Sequence, residues 1–309
     1  MRVERIGGRL IELRDRVAIV TGAGHGLGRE HAKLLAELGA AVVVNDLGGS
    51  VHGEGASSTA ADEVAAEISA AGGVAVAEYS SVAEPEGGEA IVQRAIDEFG
   101  RIDIVVNNAG ILRDRSIINL EVEDIATVLA VHLEGAFYVT RPAFALMKEQ
   151  RHGRIIMTTS ASGIFGNFGQ ANYGAGKAGL VGLMNVLKLE GAKYGITVNA
   201  VAPIANTRMT EGLFGEMMTK FDPAQVSPVV AYFASDECEL TGEVWSVGGG
   251  SVSRVFIGLT DGFFRDPDDG PLTVDDIAGH VTDIRDEDGY IVPFSSQDEF
   301  VKLGPRLLG

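Results

Sequence analysis

Ser160, Tyr173 and Lys177 are the residues whose types and spacing could do chemistry, in the runs Thr158-Thr159-Ser160 and Gly169-Gln170-Ala171-Asn172-Tyr173-Gly174-Ala175-Gly176-Lys177. Tyr and Lys four positions apart share one face of a helix, so an ammonium can sit beside a phenol. The apolar run Ile155-Ile156-Met157 reads as a buried strand that presents the serine hydroxyl at its carboxyl end. A phenol with a reference pKa near ~10 is a poor base at neutral pH, and a neighbouring cation favours its phenolate. The trio could therefore exchange a proton with a substrate oxygen. That is alcohol–carbonyl interconversion, provided a hydride acceptor lies nearby. Tyr173 and Lys177 alone would be a common amphipathic coincidence; Ser160 and a glycine turn upstream argue against that.

The elements that must position them begin near the amino terminus. Val17-Ala18-Ile19-Val20 is a short strand, followed at once by Thr21-Gly22-Ala23-Gly24-His25-Gly26-Leu27-Gly28 and a helical pattern through Ala32, Leu34, Leu35 and Leu38. Strand, glycine turn and helix form the context in which glycines let a backbone approach a pyrophosphate at a helix amino terminus. The next apolar run, Ala41-Val42-Val43-Val44, ends in Asn45-Asp46. An acidic residue about 20 residues after the turn hydrogen-bonds a ribose and repels a 2′-phosphate, which favours NAD over NADP. His25 points the other way, but imidazole is mostly neutral at pH 7 and Asp46 is charged.

Together these features resemble the short-chain dehydrogenase/reductase family over residues 16 to about 250. Its glycine motif appears as Gly22, Gly26 and Gly28, its Asn-Asn-Ala-Gly turn as Asn107-Asn108-Ala109-Gly110, and Ser160 precedes Tyr173 by 13 residues. The stretches Asn45-Asp46-Leu47-Gly48-Gly49, Asn108-Ala109-Gly110-Ile111-Leu112-Arg113-Asp114 and Gly163-Ile164-Phe165-Gly166-Asn167-Phe168-Gly169-Gln170-Ala171-Asn172-Tyr173 are similar to one branch. That branch comprises the (3R)-hydroxyacyl-CoA dehydrogenase units of peroxisomal multifunctional enzymes type 2 and their bacterial relatives.

The resemblance implies a single-domain α/β Rossmann fold, with a doubly wound parallel sheet of about seven strands and helices on both faces. It implies NAD-dependent oxidation of a (3R)-3-hydroxyacyl-CoA. Ser160, Tyr173 and Lys177 would be catalytic, with His132 joining them at the family's usual Asn position, and Lys177 together with the nicotinamide's positive charge would lower the Tyr173 pKa. Cofactor contacts would come from Gly22, Gly26, Leu27, Gly28, Asp46, Ser81, Val82, Asn108, Gly110, Tyr173, Lys177, Pro203 and Thr207. Rival activities are a 17β-hydroxysteroid dehydrogenase, an NADPH-dependent 3-oxoacyl-carrier-protein reductase and a non-catalytic nucleotide sensor; Asp46 and the intact trio count against the last two. Implied partners are a second copy in a homodimer or homotetramer, and a separate enoyl-CoA hydratase.

The chain departs from the family pattern in three places. His132 of Val131-His132-Leu133-Glu134-Gly135 stands where the family carries Asn, a position whose main-chain carbonyl holds a water in a proton path from the lysine. A carbonyl survives any substitution, so the relay is expected to persist; His132 itself reads as a hydrogen-bonded helix residue. The loop Pro203-Ile204-Ala205-Asn206-Thr207 lacks the usual Pro-Gly and carries its Thr one residue early. Finally, residues 251–309 continue past the family's usual end.

Composition agrees with a cytoplasmic enzyme. With 46% apolar residues the chain can bury a substantial core. A single cysteine, Cys238, allows no intrachain disulfide and is expected to be inert. No apolar run reaches the ~20 residues of a membrane helix, and neither terminus reads as a secretory or peroxisomal address. A net charge of −18 disfavours nucleic acid as a partner, and the histidines show no metal-ligand spacing.

The segments expected are a lead-in at 1–15, the dehydrogenase domain at 16–250 with a substrate lid at about 203–222, and an acidic extension at 251–309. Strands are expected at Val74–Ala77, Ile104–Asn107, Ile155–Thr158, Val198–Val201 and Val244–Val247, and helices at Gly87–Phe99, Asp124–Gln150 and Ala171–Lys193. Residues 261–300 carry 12 Asp and Glu against 2 Arg. Within them Thr273 starts a helix whose stripe Ile277, Val281 and Ile284 packs on the core, a surface role favoured over covering an interface or the acyl-CoA entrance.

Overall fold

Short β-branched runs become strands and the alanine- and leucine-rich segments between them become helices, as alternating βα patterns require. The structure, a computed structural model, describes residues 11–207 and 219–308. The strands are β1 (Val17–Thr21), β2 (Ala41–Asn45), β3 (Val74–Glu78), β4 (Ile104–Asn107), β5 (Gly153–Thr158), β6 (Ile196–Pro203), β7 (Val244–Gly248) and β8 (Ser251–Val255). The helices are α1 (Gly26–Glu37), α2 (Thr59–Ala70), α3 (Pro85–Phe99), α4 (Val122–Leu129), α5 (Gly135–Gln150), α6 (Ala161–Ile164), α7 (Ala171–Gly191), α8 (Ser227–Ala234), α9 (Val274–Gly279), α10 (Val281–Arg285) and α11 (Gln297–Leu308).

The sheet runs β3-β2-β1-β4-β5-β6-β7-β8, and the pairs from β3 through β7 are parallel. Strand order reverses between β1 and β4, so the loops after these strands diverge and leave a crevice at the carboxyl edge, where such folds bind ligands. Every residue of β1, β4 and β5 is buried. Helix α1 packs on α2 and α8, α3 packs on α5, and α4 on α7, covering the two faces.

The expected doubly wound sheet of about seven strands is present, with eight strands in all. Gly249 and Gly250 adopt φ of +57° and +78°, a turn open to glycine that sends β8 back beside β7. The helix expected over Asp124–Gln150 is interrupted, because Ala130–Glu134 forms a π-helical turn between α4 and α5. Such bulges often mark functional positions, and His132 is at its centre.

The chain divides into two compact units, Met1–Arg254 and Val255–Gly309. Inside the second, Leu259 and Ile291 form an antiparallel bridge, Phe256 stacks on Tyr290 at 5.6 Å and Phe263 on His280 at 3.8 Å. Thr273 and Asp276 cap α9 reciprocally. The expected helix from Thr273 does start there but breaks at His280. The stripe is split between α9 and α10, and Ile277 and Val281 remain 46% exposed.

Candidate active site

Two residues beyond β5, Ser160 caps α6 and its Oγ accepts the Ser162 amide at 3.2 Å. Ser160 lies near enough to the Tyr173 hydroxyl to act on its acidity. Lys177, one turn further along α7, is 3% exposed; its Nζ donates to the Thr158 carbonyl at 2.6 Å and stands 5.7 Å from the Tyr173 ring centre. The Thr159 hydroxyl ties back to the Lys177 carbonyl at 2.7 Å. Strand end and helix are thus stitched together through Thr158, Thr159 and Lys177.

Burial raises the Tyr173 pKa, with Ser160 opposing it and Asp114 adding to it, and burial pushes Lys177 down to about 7. Desolvation penalises the charged form of both groups.

His132 is a wedge. Its buried Nε2 lies 2.8 Å from the Ile111 carbonyl oxygen and 3.0 Å from the Ile111 amide nitrogen. Its ring meets that of Tyr173 edge-on at 5.1 Å. Burial and the Lys177 charge hold its pKa well below the usual histidine range, so the ring is neutral. A Cβ on Gly110 would overlap the imidazole, and one on Gly176 would stand 3.3 Å from the His132 Cβ. His132 therefore packs between the loop after β4 and helix α7.

The glycine turn fits a dinucleotide. Gly22 and Gly26 have φ of +63° and +53°, and a Cβ on Gly28 would overlap the Gly22 carbonyl. Helix α1 starts with neither a side-chain cap nor a first-turn carboxylate, leaving its first N–H groups and dipole for an anion. Leu27 lies in that first turn. Asp46 follows β2 and accepts the amides of Gly24 and Gly48, both at 2.7 Å. A Cβ on Gly24 would stand 2.8 Å from its Oδ2, so Asp46 borders the turn.

Asn108 Nδ2 donates to the carbonyls of Thr21 and Gly22 at 2.8 and 3.2 Å. Ser81 Oγ accepts the Ala83 amide at 3.2 Å, and Val82 lines a small cavity with Thr21, Asn107 and His132. Pro203 ends β6, and the Thr207 methyl lies 3.5 Å from where a Gly26 Cβ would be, so the early threonine still reaches the turn. Of the expected lid at about 203–222, residues 208–218 lie outside the described residues.

Sequence reasoning missed Thr21 and Asn172. The Thr21 hydroxyl accepts the amides of Asn108 and Ala109, each at 3.0 Å, which locks the glycine turn to the loop after β4. Asn172 Nδ2 donates to the Arg113 and Asp124 carbonyls, and its Oδ1 accepts the Tyr173 amide at 2.8 Å. Both adjoin recognised motifs, which was the only local signal. Cys238 is buried, which pushes its thiol pKa up. Among the described residues no group of His, Cys, Asp or Glu could hold a metal ion, and no helix is long and apolar enough to cross a membrane.

Comparison with known proteins agrees with this geometry. The family profile described as short chain dehydrogenase matches residues 16–217. A Mycobacterium tuberculosis protein named as a short-chain type dehydrogenase/reductase is 52% identical over 278 residues, 90% of this chain and 96% of that one. The peroxisomal multifunctional enzyme type 2 of Drosophila melanogaster is 48% identical over 274 residues, 87% of this chain and 45% of that enzyme. The full-length structure of that enzyme superposes with a TM-score of 0.81 at 37% identity, covering 96% of this chain and 50% of the other. The chain thus spans about half the length of that relative.

Proposed function

This chain belongs to the short-chain dehydrogenase family, and we propose that within it the chain oxidises a (3R)-3-hydroxyacyl-CoA to the 3-ketoacyl-CoA with NAD⁺. It is an oxidoreductase of a family that uses nicotinamide dinucleotides. The observation that carries the proposal is the gathering of Ser160 at the end of β5 with Tyr173 and buried Lys177 on α7, on the same sheet edge as the glycine turn and Asp46. Similarity to the multifunctional enzyme type 2 supports the acyl-CoA substrate.

The turn from Gly22 to Gly28, Asp46 and the loop at Asn108 and Gly110 would hold the dinucleotide, which supplies the hydride acceptor when bound. The Tyr173 oxygen, held as phenolate by the Lys177 ammonium together with the positive charge that the bound nicotinamide would bring, would take the proton of the 3-hydroxyl group as the C3 hydrogen departs as hydride. Ser160 donates a hydrogen bond to the same oxygen and steadies it as the carbonyl forms. The Asp46 carboxylate beside the turn supports NAD, because a 2′-phosphate there would meet like charge. A second copy of the chain and a separate enoyl-CoA hydratase are the partners this role would call for.

Replacing Tyr173 by Phe removes the proton acceptor and keeps the ring against His132. Turnover of (3R)-hydroxyacyl-CoA should fall by at least about 10³-fold while NADH binding, read by fluorescence, persists. Near wild-type turnover in that variant would sink the assignment.

A further inference from the structure

The loop between β2 and α2 is long and glycine-rich, with the run Gly48-Gly49-Ser50-Val51-His52-Gly53-Glu54-Gly55. Its ends are tied where the Ser57 amide donates to the Leu47 carbonyl at 2.9 Å. Gly48 has a φ of +75°, and a Cβ there would overlap the Ser57 carbonyl. Inside, the Ser50 amide donates to the Glu54 carbonyl at 2.8 Å and the Gly53 amide to the Ser50 carbonyl at 3.0 Å. Compact loops with closed ends of this kind are Ω-loops.

The tip of this loop is docked. The Val51 carbonyl accepts the Leu112 amide at 2.9 Å, and the His52 carbonyl accepts Arg113 Nε at 3.1 Å. His52 Nδ1 lies 2.9 Å from the Leu112 carbonyl oxygen, and a Cβ on Gly53 would stand 3.0 Å from Ile111 Cδ1. Strand β1 lies between β2 and β4 in the sheet. A bridge on the carboxyl edge from the loop after β2 to the loop after β4 therefore spans the place where the glycine turn emerges.

We propose that residues 47–57 form a strap, latched on residues 111–113, that closes the cofactor groove and sets the rate at which the nicotinamide dinucleotide leaves. The proposal rests on the glycine turn being the dinucleotide site. The latch is continuous with the reacting groups. The Arg113 carbonyl accepts Asn172 Nδ2 at 3.1 Å, and Asn172 Oδ1 holds the Tyr173 amide. Ile111, under the tip, is gripped by His132, which packs on Tyr173. An open groove releases a ligand directly, whereas a latched strap adds an opening step before release.

Stopped-flow displacement of NADH, or of NADPH if the wild type binds that more tightly, tests the strap. The proteins are the wild type, Arg113→Ala, and a variant with residues 50–55 replaced by two glycines. The shortened loop should release the dinucleotide at least about tenfold faster and Arg113→Ala at least about threefold faster, since changes at a binding surface act mainly on dissociation. The Leu112 amide should exchange slowly with solvent in the loaded wild type and fast in the shortened variant. Unchanged dissociation rates in folded variants, whether or not their Tm falls, would overturn the strap. A wild type that binds neither dinucleotide would overturn the cofactor site on which it rests.

Discussion

Burial acts on Tyr173 and Lys177 from opposite sides, raising the phenol and lowering the amine. Each group is pushed toward its neutral form. For Lys177 the consequence for stability has a definite sign. In the unfolded chain the amine titrates near its ordinary value of 10.5, and in the folded chain at about 7. Between these values the unfolded state binds more protons, so stability rises with pH across that window, and the cost of the buried cation is fully present below about 7. Lys177→Met should therefore abolish turnover yet stabilise the fold, more at about pH 6 than at about pH 9, with a difference on the order of 2 kcal/mol. Denaturant melts of both proteins at the two pH values check this. A gain independent of pH would contradict it.

At the scale of elements, the π-helical turn at Ala130–Glu134 brings His132 into the contact that couples the loop after β4 to α7. Gly110 is glycine because the imidazole occupies the room a side chain would need, not because of its backbone angle. Gly110→Ala should cost about 1–3 kcal/mol by overpacking. His132→Ala should cost a similar amount through the cavity it leaves. The double variant should cost clearly less than their sum, by at least about 0.5 kcal/mol, because the new methyl enters the vacated space. Urea unfolding of the three variants supplies the cycle, and simple additivity would show that the two residues do not meet.

This contact also marks the limit of what sequence showed. The glycine turn, the Ser160–Tyr173–Lys177 spacing and Asp46 are local patterns, and the structure puts them on one sheet edge. The His132–Gly110 contact, the Asn172 brace and the docking of the loop tip on Leu112 join residues far apart in the chain. No local periodicity encodes such meetings. The break at His280 was hidden for another reason, since Ile277, Val281 and Ile284 keep helical spacing across it.

For the whole molecule, the two sheet edges do different work. The carboxyl edge presents backbone amides and the hydroxyls of Ser160 and Tyr173. The amino edge is fastened by charge: fully buried Asp103 accepts the Val17 amide at 2.9 Å and a two-pronged bond from Arg101 at 2.7 and 2.8 Å. Arg16 stands 3.6 Å away and also pairs with Asp236 at 2.6 Å. Asp103→Asn should lower stability by about 2 kcal/mol, discounted from the full cost of breaking a buried pair because Arg101 keeps contact with solvent. Its kcat at temperatures where it stays folded should be unchanged, since the site lies at the opposite edge. A large loss of kcat with Tm unaltered would contradict this division.

The central claim is oxidation of a (3R)-3-hydroxyacyl-CoA with NAD⁺ by the residues on the carboxyl edge. Its most direct test is steady-state kcat/KM for (3R)-hydroxyacyl-CoA and for a 17β-hydroxysteroid, each with NAD⁺ and with NADP⁺. The predicted result is the highest value for the acyl-CoA with NAD⁺. A higher value with NADP⁺, or with the steroid, would contradict it.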